Sequence, residues 1–480
     1  MARHSVSPLS VDGLVMHADI VTKIYGDKTR IISGISQDSR NVEPGDIFCC
    51  VRGDSFNGHV FVNDAITRGA VAVLNEEFDE SIDPSITQVV VSDVRAVLGR
   101  VASAAFRRPA SSLIIVGITG TNGKTTTASI LETLLSARGS RVCVIGTLTG
   151  TRTTPEAIDL HALLRDFVDD GVEYVVMEVS SHALQQHRVG GILFDIAVFT
   201  NLGHDHLDFH GNMENYFVEK SKLFGVDVAK QAVINSDDAY GLRLLDAIDI
   251  PAVNFSLSNV SDIDIQLEKI SYNWNSVEID IPIGGSFAVT NSLAAISAAS
   301  VLGLTRDEIV AGCSHVVTVA GRFEVVSENA DIDVVVDFAH TPEALQGLLI
   351  SARQITRARL MVVFGCGGDR DQAKRPLMGD IASRLADTVI VTSDNPRNEN
   401  PEIILAHIVS GAKANSDNIV SIVSRDEAIH SAILKAQNGD MVVIAGKGHE
   451  MTQESLGVFV PFSDVSVAKD ALRKRNGTSA

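Results

Sequence analysis

Leu113-Ile114-Ile115-Val116-Gly117-Ile118-Thr119-Gly120-Thr121-Asn122-Gly123-Lys124-Thr125-Thr126-Thr127 decides how this chain is read. An apolar run suited to a buried strand leads into a glycine-rich turn, and a helix is predicted over residues 128–138. Glycines let backbone N–H groups approach phosphate oxygens, and the helix points its positive end at the anion. Lys124 adds a mobile charge, and Thr125 offers a hydroxyl to Mg²⁺. The stretch therefore predicts a nucleoside triphosphate site at Gly120, Thr121, Asn122, Gly123, Lys124, Thr125 and Thr126. It departs by one position from the common pattern G-x-x-x-x-G-K-[ST], because Ile118 stands where the first glycine belongs.

Working outward, 480 residues exceed one ordinary core, and ~150 residues per domain predicts about three. We expect them at 1–108, 109–320 and 321–480. The net charge of −20 argues against a general nucleic-acid binder, whose phosphate contacts need basic surface. A pocket inside an acidic protein can still be locally basic. The five cysteines, Cys49, Cys50, Cys143, Cys313 and Cys366, show no metal-ligand spacing and read as reduced thiols. Residues 1–20 lack the apolar core of a signal peptide, and no run of about 18 apolar residues is present to span a membrane. A cytoplasmic, monomeric protein is the expectation.

Short β-rich runs at 47–51, 71–74 and 88–91, with turn signals between them, predict a small N-terminal α/β domain. Arg107-Arg108-Pro109 breaks the helix before the phosphate-loop strand. From 109 to 320, apolar runs at 141–145, 174–178, 196–200 and 232–235 alternate with helix-length connections, which predicts a doubly wound parallel sheet. Ligands of such sheets sit at the strand C-terminal ends, where Glu178 and Thr200 emerge. From 321 onward the alternation continues in a Rossmann-like α/β domain. Runs at 334–337, 360–365, 388–392 and 441–445 end in the loops 337–340, 365–370, 393–397 and 446–450, a second candidate binding surface. Residues 254–275 are polar and read as an irregular edge.

The densest polar clusters after the phosphate loop are Glu178-Val179-Ser180-Ser181-His182 and residues 200–208, Thr-Asn-Leu-Gly-His-Asp-His-Leu-Asp. A carboxylate and an imidazole at neighbouring strand ends can hold a divalent ion that bridges triphosphate and substrate. No Cys joins them, and an oxygen-rich site suits Mg²⁺ better than zinc.

Ten ordered motifs then make the chain resemble the Mur ligases, the ATP-dependent amide-forming family of peptidoglycan precursor synthesis. Within that family it is similar to the MurE type, which adds the third residue of the stem peptide. The motifs are D-S-R (38–40), T-G-T-N-G-K-T-T-T (119–127), T-T-P (153–155), E-V-S-S-H-A-L (178–184), D-H-L-D-F-H-G (205–211), G-R-F-E (321–324), D-F-A-H-T-P (337–342), G-C-G-G-D-R-D (365–371), D-N-P-R (394–397) and G-K-G-H-E (446–450).

The resemblance implies a catalytic set of Lys124, Glu178, His206 and Lys220. Lys220 matches the family's carbamylated lysine, and Lys222 falls out of register. It implies Mg²⁺ held through Thr125, Glu178, His206 and carbamyl-Lys220, with ATP closed over by Arg322 and Asp337 and flanked on its adenine side by Asn291 and His340. It places the UDP-N-acetylmuramoyl-dipeptide on Ser39, Asp54, Ser55, Thr153, Thr154, Ser180, Gln186 and Arg188. The incoming amino acid falls on Arg370, Asp394, Asn395, Arg397, Gly446 and Glu450. Arg397 offers a fork for the distal carboxylate of meso-diaminopimelate, which L-lysine lacks.

Two departures stand out. Gly203-His204 replaces the family's Ser-Arg, so a positive charge expected near the phosphates becomes titratable. Phe287-Ala288-Val289-Thr290-Asn291 keeps only the second asparagine of F-N-V-x-N. Both imply retained activity with altered nucleotide affinity. A lysine-adding ligase, a folylpolyglutamate-type ligase and a nucleotide-binding module without ligase activity remain open as other readings.

Overall fold

The phosphate-loop strand Ile114–Thr119 lies in the middle of a six-stranded, all-parallel sheet. The order is Ala252–Phe255, Ala232–Asn235, Ile196–Phe199, Ile114–Thr119, Tyr174–Glu178 and Val142–Ile145. Runs such as Ile115-Val116 and Val175-Val176-Met177 are buried on both sheet faces, as parallel strands require. One face packs on the helices Lys124–Ala137 and Phe287–Val301 through Leu131, Leu134, Leu293 and Ile296. The other packs through Leu160, Leu164, Phe194 and Tyr216. Register sets Ile118 opposite Glu178 and Thr119 opposite Phe199, so Glu178 and Thr200 emerge on either side of the phosphate loop.

The computed structural model describes residues 3–53, 57–327, 331–412 and 418–477. An N-terminal six-stranded sheet runs His4–Ser10, Ile31–Ser36, Asp46–Cys49, Ala72–Asn75, Thr87–Val90 and Lys23–Tyr25. Its inner pairs are parallel and both edges antiparallel. The C-terminal sheet runs Glu324–Val325, Asp333–Asp337, Met441–Ala445, Leu360–Phe364, Thr388–Val391 and Ile419–Ser421, parallel except at its first strand. We propose the domain boundaries at 108/109 and 320/321. Arg107 and Arg108 are left-handed there (φ 61° and 49°), after the helix Val94–Ala105 and before Pro109. Among the described residues no helix is long and apolar enough to cross a membrane.

Two local expectations are corrected. The helix after the phosphate loop begins at Lys124, four residues early, because left-handed Gly123 (φ 87°) turns the chain directly into it. Much of 254–275 is regular. Val260–Ile265, Ile270–Trp274 and Val277–Ile281 form an antiparallel three-stranded sheet, with Ile270, Tyr272, Ile279 and Ile281 facing the core. Polar outward residues at alternate positions masked a period of two.

Candidate active site

Backbone geometry shapes the phosphate loop first. A Cβ at Gly123 would come 2.3 Å from Asn291 Oδ1, and one at Gly120 (φ 151°) would come 1.9 Å from Thr200 Oγ1. Only glycine admits those neighbours. Asn201 ties the loop to the next strand end, accepting from Asn122 N at 2.9 Å and donating to Asn122 O at 3.1 Å. Lys124 Nζ donates to Gly120 O and Thr121 O, 2.7 and 2.9 Å away. Its ammonium thus lies folded on the loop, within reach of an anion seated there.

Glu178, 1% exposed, sits beneath the helix start. Its carboxylate accepts from Thr125 Oγ1 at 3.1 Å and from Thr147 N and Oγ1 at 3.0 and 3.2 Å. Thr147 in turn meets Thr153 at 3.1 Å. On the other side, His206 is left-handed (φ 53°), with its ring 3.3 Å from Asp205 and 4.8 Å from the ring of His182. Burial pushes the His206 imidazole below its usual range against the pull of Asp205. Neutral imidazole is the ligand form. Burial opposes ionisation of Asp205, yet the cationic neighbourhood, Lys374 included, holds its carboxyl below the usual carboxylate range.

Lys220 is 1% exposed, on the helix Met213–Ser221, and donates to Gly120 O at 3.0 Å. Burial first, then the charge of Lys124, drive its pKa well below that of an ordinary lysine. Lys222 instead pairs with Glu219 at the surface.

The C-terminal sheet supplies the opposite wall. Arg322 Nη2 donates to Thr125 Oγ1 at 3.3 Å, and its guanidinium lies 4.4 Å over the Phe338 ring with Nε buried and unpartnered. Asp337 accepts from Phe323 N and Ala339 N, both at 2.7 Å, so its carboxylate fixes the turn that presents Arg322. His340 stands 3.8 Å from Asp205. A cavity of about 530 Å³ is lined by Thr121 to Thr126, Thr153, Glu178, His206, Asn291, Arg322, Asp337 and His340, within the roughly 300–1,000 Å³ of small-molecule sites. Among the described residues no three His, Cys, Asp or Glu side chains group to hold a metal unaided. Mg²⁺ keeps water and phosphate oxygens among its ligands, so Thr125 and Glu178 beside a phosphate cradle fit it.

Three family models match in chain order. They are a Mur ligase family catalytic domain over 31–106, a Mur ligase middle domain over 118–299, and a Mur ligase glutamate ligase domain over 321–448. A UDP-N-acetylmuramoyl-L-alanyl-D-glutamate–2,6-diaminopimelate ligase of Syntrophomonas wolfei is 42% identical over 470 residues, covering 93% of this chain and 96% of its own. The chain belongs to the Mur ligase family. A ligase of the same name from Synechococcus elongatus is 43% identical over 471 residues, covering 92% of this chain and 94% of its own. A solved structure of a ligase of that name aligns with a TM-score of 0.68 at 33% identity, covering 98% of this chain and all of its own.

Other expected contacts of this Mur ligase gather in two further clusters. Thr154 Oγ1 donates to Glu178 O at 2.9 Å and accepts from Ser180 N at 3.1 Å. Arg188, 7% exposed, donates to Thr154 O and Gln186 Oε1 and pairs with Glu156 at 2.9 Å. Its donors are engaged inside the protein rather than presented freely. Ser39 is buried in the 3₁₀ turn Ser39–Asn41 of the N-terminal domain. Asp54 and Ser55 lie outside the described residues.

The second cluster surrounds 394–397. Asn395 Nδ2 donates to Glu450 Oε2 at 2.8 Å, and buried Lys447 donates to both Asn395 Oδ1 and Glu450 Oε2. Arg397 donates from Nη1 to Gly368 O at 2.7 Å and lies 3.3 Å from Glu454. Gly446 (φ 115°) leaves room for Asp394, whose Oδ2 would be 2.7 Å from a Cβ there. Arg370 is exposed and lies beside Gly367, which Arg397 Nη1 also flanks.

Thr147, Lys447 and Glu454 escaped the sequence reading, while Asn201 lay in the 200–208 cluster without a role. Lys447 lies inside G-K-G-H-E and could have been found there. Thr147 and Glu454 meet their partners only in the fold. His204 is also corrected. Its ring turns to Asp371 Oδ2 at 2.9 Å, and it is not among the described residues lining the cavity. Ala288 likewise packs into the core.

Proposed function

We propose that this Mur ligase uses ATP to join meso-diaminopimelate to UDP-N-acetylmuramoyl-L-alanyl-D-glutamate, as a cytoplasmic step in making peptidoglycan precursors. The observation that carries the reading is the meeting of two layers over the phosphate loop, with Arg322 of the C-terminal domain 3.3 Å from the Thr125 hydroxyl. The names of the relatives described above support the choice of substrates. The substrate carboxylate attacks the ATP γ-phosphorus, giving an acyl phosphate and ADP. The amine of the incoming amino acid then attacks the acyl carbon. A C–N bond forms, the C–O bond to phosphate breaks, inorganic phosphate leaves, and the amine gives up a proton.

A carboxylate is a weak nucleophile facing a polyanion, so the site must supply positive charge and alignment. Lys124 and Arg322 supply charge at the phosphates. Mg²⁺ adds Lewis-acid neutralisation where Thr125, Glu178, His206 and carbamyl-Lys220 would hold it. Lys220, kept as a neutral amine, can add to CO₂, forming an N–C bond and releasing a proton to leave an anionic carbamate. Thr153, Thr154, Ser180, Gln186 and Arg188 would orient the muramoyl-dipeptide, and Ser39 its nucleotide end. Arg397 and Arg370 would take carboxylates of diaminopimelate, with Asp394, Asn395, Glu450 and the backbone at Gly446 around its ammonium groups.

Phosphate release with the UDP-muramoyl-dipeptide and Mg-ATP, in parallel with meso-diaminopimelate, L-lysine or neither, tests the reading. Turnover with diaminopimelate alone is expected. Equal turnover with lysine would discard the Arg397 fork, and no amino-acid-dependent turnover would discard the ligase.

A further inference from the structure

His204 lies between the strand Ile196–Phe199 and the short helix Leu207–His210, and its partner Asp371 lies 167 residues away on the loop before the helix Lys374–Leu385. Both side chains are largely covered, at 26% and 13% exposed. An ionised carboxylate only accepts, so Nε2 carries the hydrogen, and a neutral imidazole is donor enough. Asp371 Oδ1 accepts from Ala373 N at 2.8 Å, which orients the carboxylate toward His204. The His204 main chain is gripped by the same C-terminal domain, its N–H donating to Glu343 Oε1 at 2.9 Å. Two loops are thereby locked face to face, and each carries a residue of the proposed site. His206 is two residues after His204, and Arg370 immediately precedes Asp371. Arg370 Cγ and Arg397 Nη1 both flank Gly367 of that loop, 3.8 and 2.9 Å from where a Cβ there would sit.

We propose that His204 is a positioning residue that, through Asp371, holds the 365–371 loop, and with it Arg370 beside Arg397, in place for the amino-acid substrate. It acts on capture of the amine, not on the nucleotide. Misplacing a substrate-orienting side chain by about 1 Å costs up to about a hundredfold in rate, so a single bond between the loops is enough to matter. The inference rests on the ligase reading above.

Steady-state kinetics of the full chain with UDP-muramoyl-dipeptide, Mg-ATP and meso-diaminopimelate test it, using wild type, His204→Ala, Asp371→Ala, the double variant and His204→Arg. Each alanine variant is expected to raise KM for diaminopimelate about tenfold while KM for ATP stays within about twofold, and the double variant is expected to be no worse than the poorer single. His204→Arg should recover most of the loss, because a guanidinium can reach the same carboxylate. Losses that multiply in the double variant, a rise in KM for ATP instead, or an unchanged KM in His204→Ala would overturn the latch. Should Asp371→Ala fail to fold, the contrast between His204→Ala and His204→Arg decides. A wild type that turns over with no amino acid overturns the ligase reading itself, a result distinct from the others.

Discussion

Lys220 and Lys222 differ by two positions and by everything physical. One is buried against the Gly120 carbonyl and faces a second lysine charge, while the other reaches solvent and Glu219. Burial of an ammonium without a carboxylate partner favours the neutral amine, the form that captures CO₂. Lys220→Ala is expected to lower turnover by at least about a hundredfold. Millimolar formate or acetate should restore part of it by supplying the missing anion; ADP release with and without the added acid reads this. No rescue in a folded variant would mean that the amine itself, not its carbamate, is needed. In the sequence the two lysines were separable only through motif register, because burial belongs to the tertiary structure.

At the scale of elements, the helix Ala157–Asp169 carries His161, fully buried, with Nε2 2.9 Å from Gly190 O and Nδ1 without a partner. Gly190 also packs against Gly99, where a Cβ would come 2.4 Å from its carbonyl, so His161 sits at the joint between the first two domains. Burial lowers the His161 imidazole from an ordinary 6.5 to about 4. The unfolded chain therefore binds the extra proton first. The contribution is present above pH 6.5 and is lost as pH falls toward 4, on the order of 3 kcal/mol. His161→Gln keeps a donor for Gly190 without titrating. Melting midpoints followed from pH 7.5 to 4.5 should fall more steeply for wild type than for this variant, and parallel curves would sink the assignment.

Element types were largely legible from periodicity. The buried central strands appeared as apolar runs bounded by turns, while the strands at 260–281 were hidden by their polar outward faces. Helix starts shifted where one left-handed glycine, Gly123, set them.

At the scale of the molecule, the proposed reaction needs the C-terminal domain against the central one. Arg322 makes that contact at Thr125, alongside Asp205 with His340. Arg322→Ala is expected to raise KM for ATP about tenfold with the melting midpoint within ~2 °C, since it removes a contact to the nucleotide site and little core. Titrating ATP at saturating levels of the other substrates checks it, and an unchanged KM would mean that closure does not pass through this arginine.

The chain's local order alone determined the phosphate loop, the alternation of strands and helices, and the family, because these depend on neighbours within a few residues or on motifs that keep their spacing. Which side of the phosphate loop Glu178 occupies, which lysine is buried, and that His204 turns from the phosphates to Asp371 were decided only by the tertiary structure. Those outcomes depend on strand order and on two domains meeting, and groups separated by 53 to 167 residues have no signal in common until the chain folds.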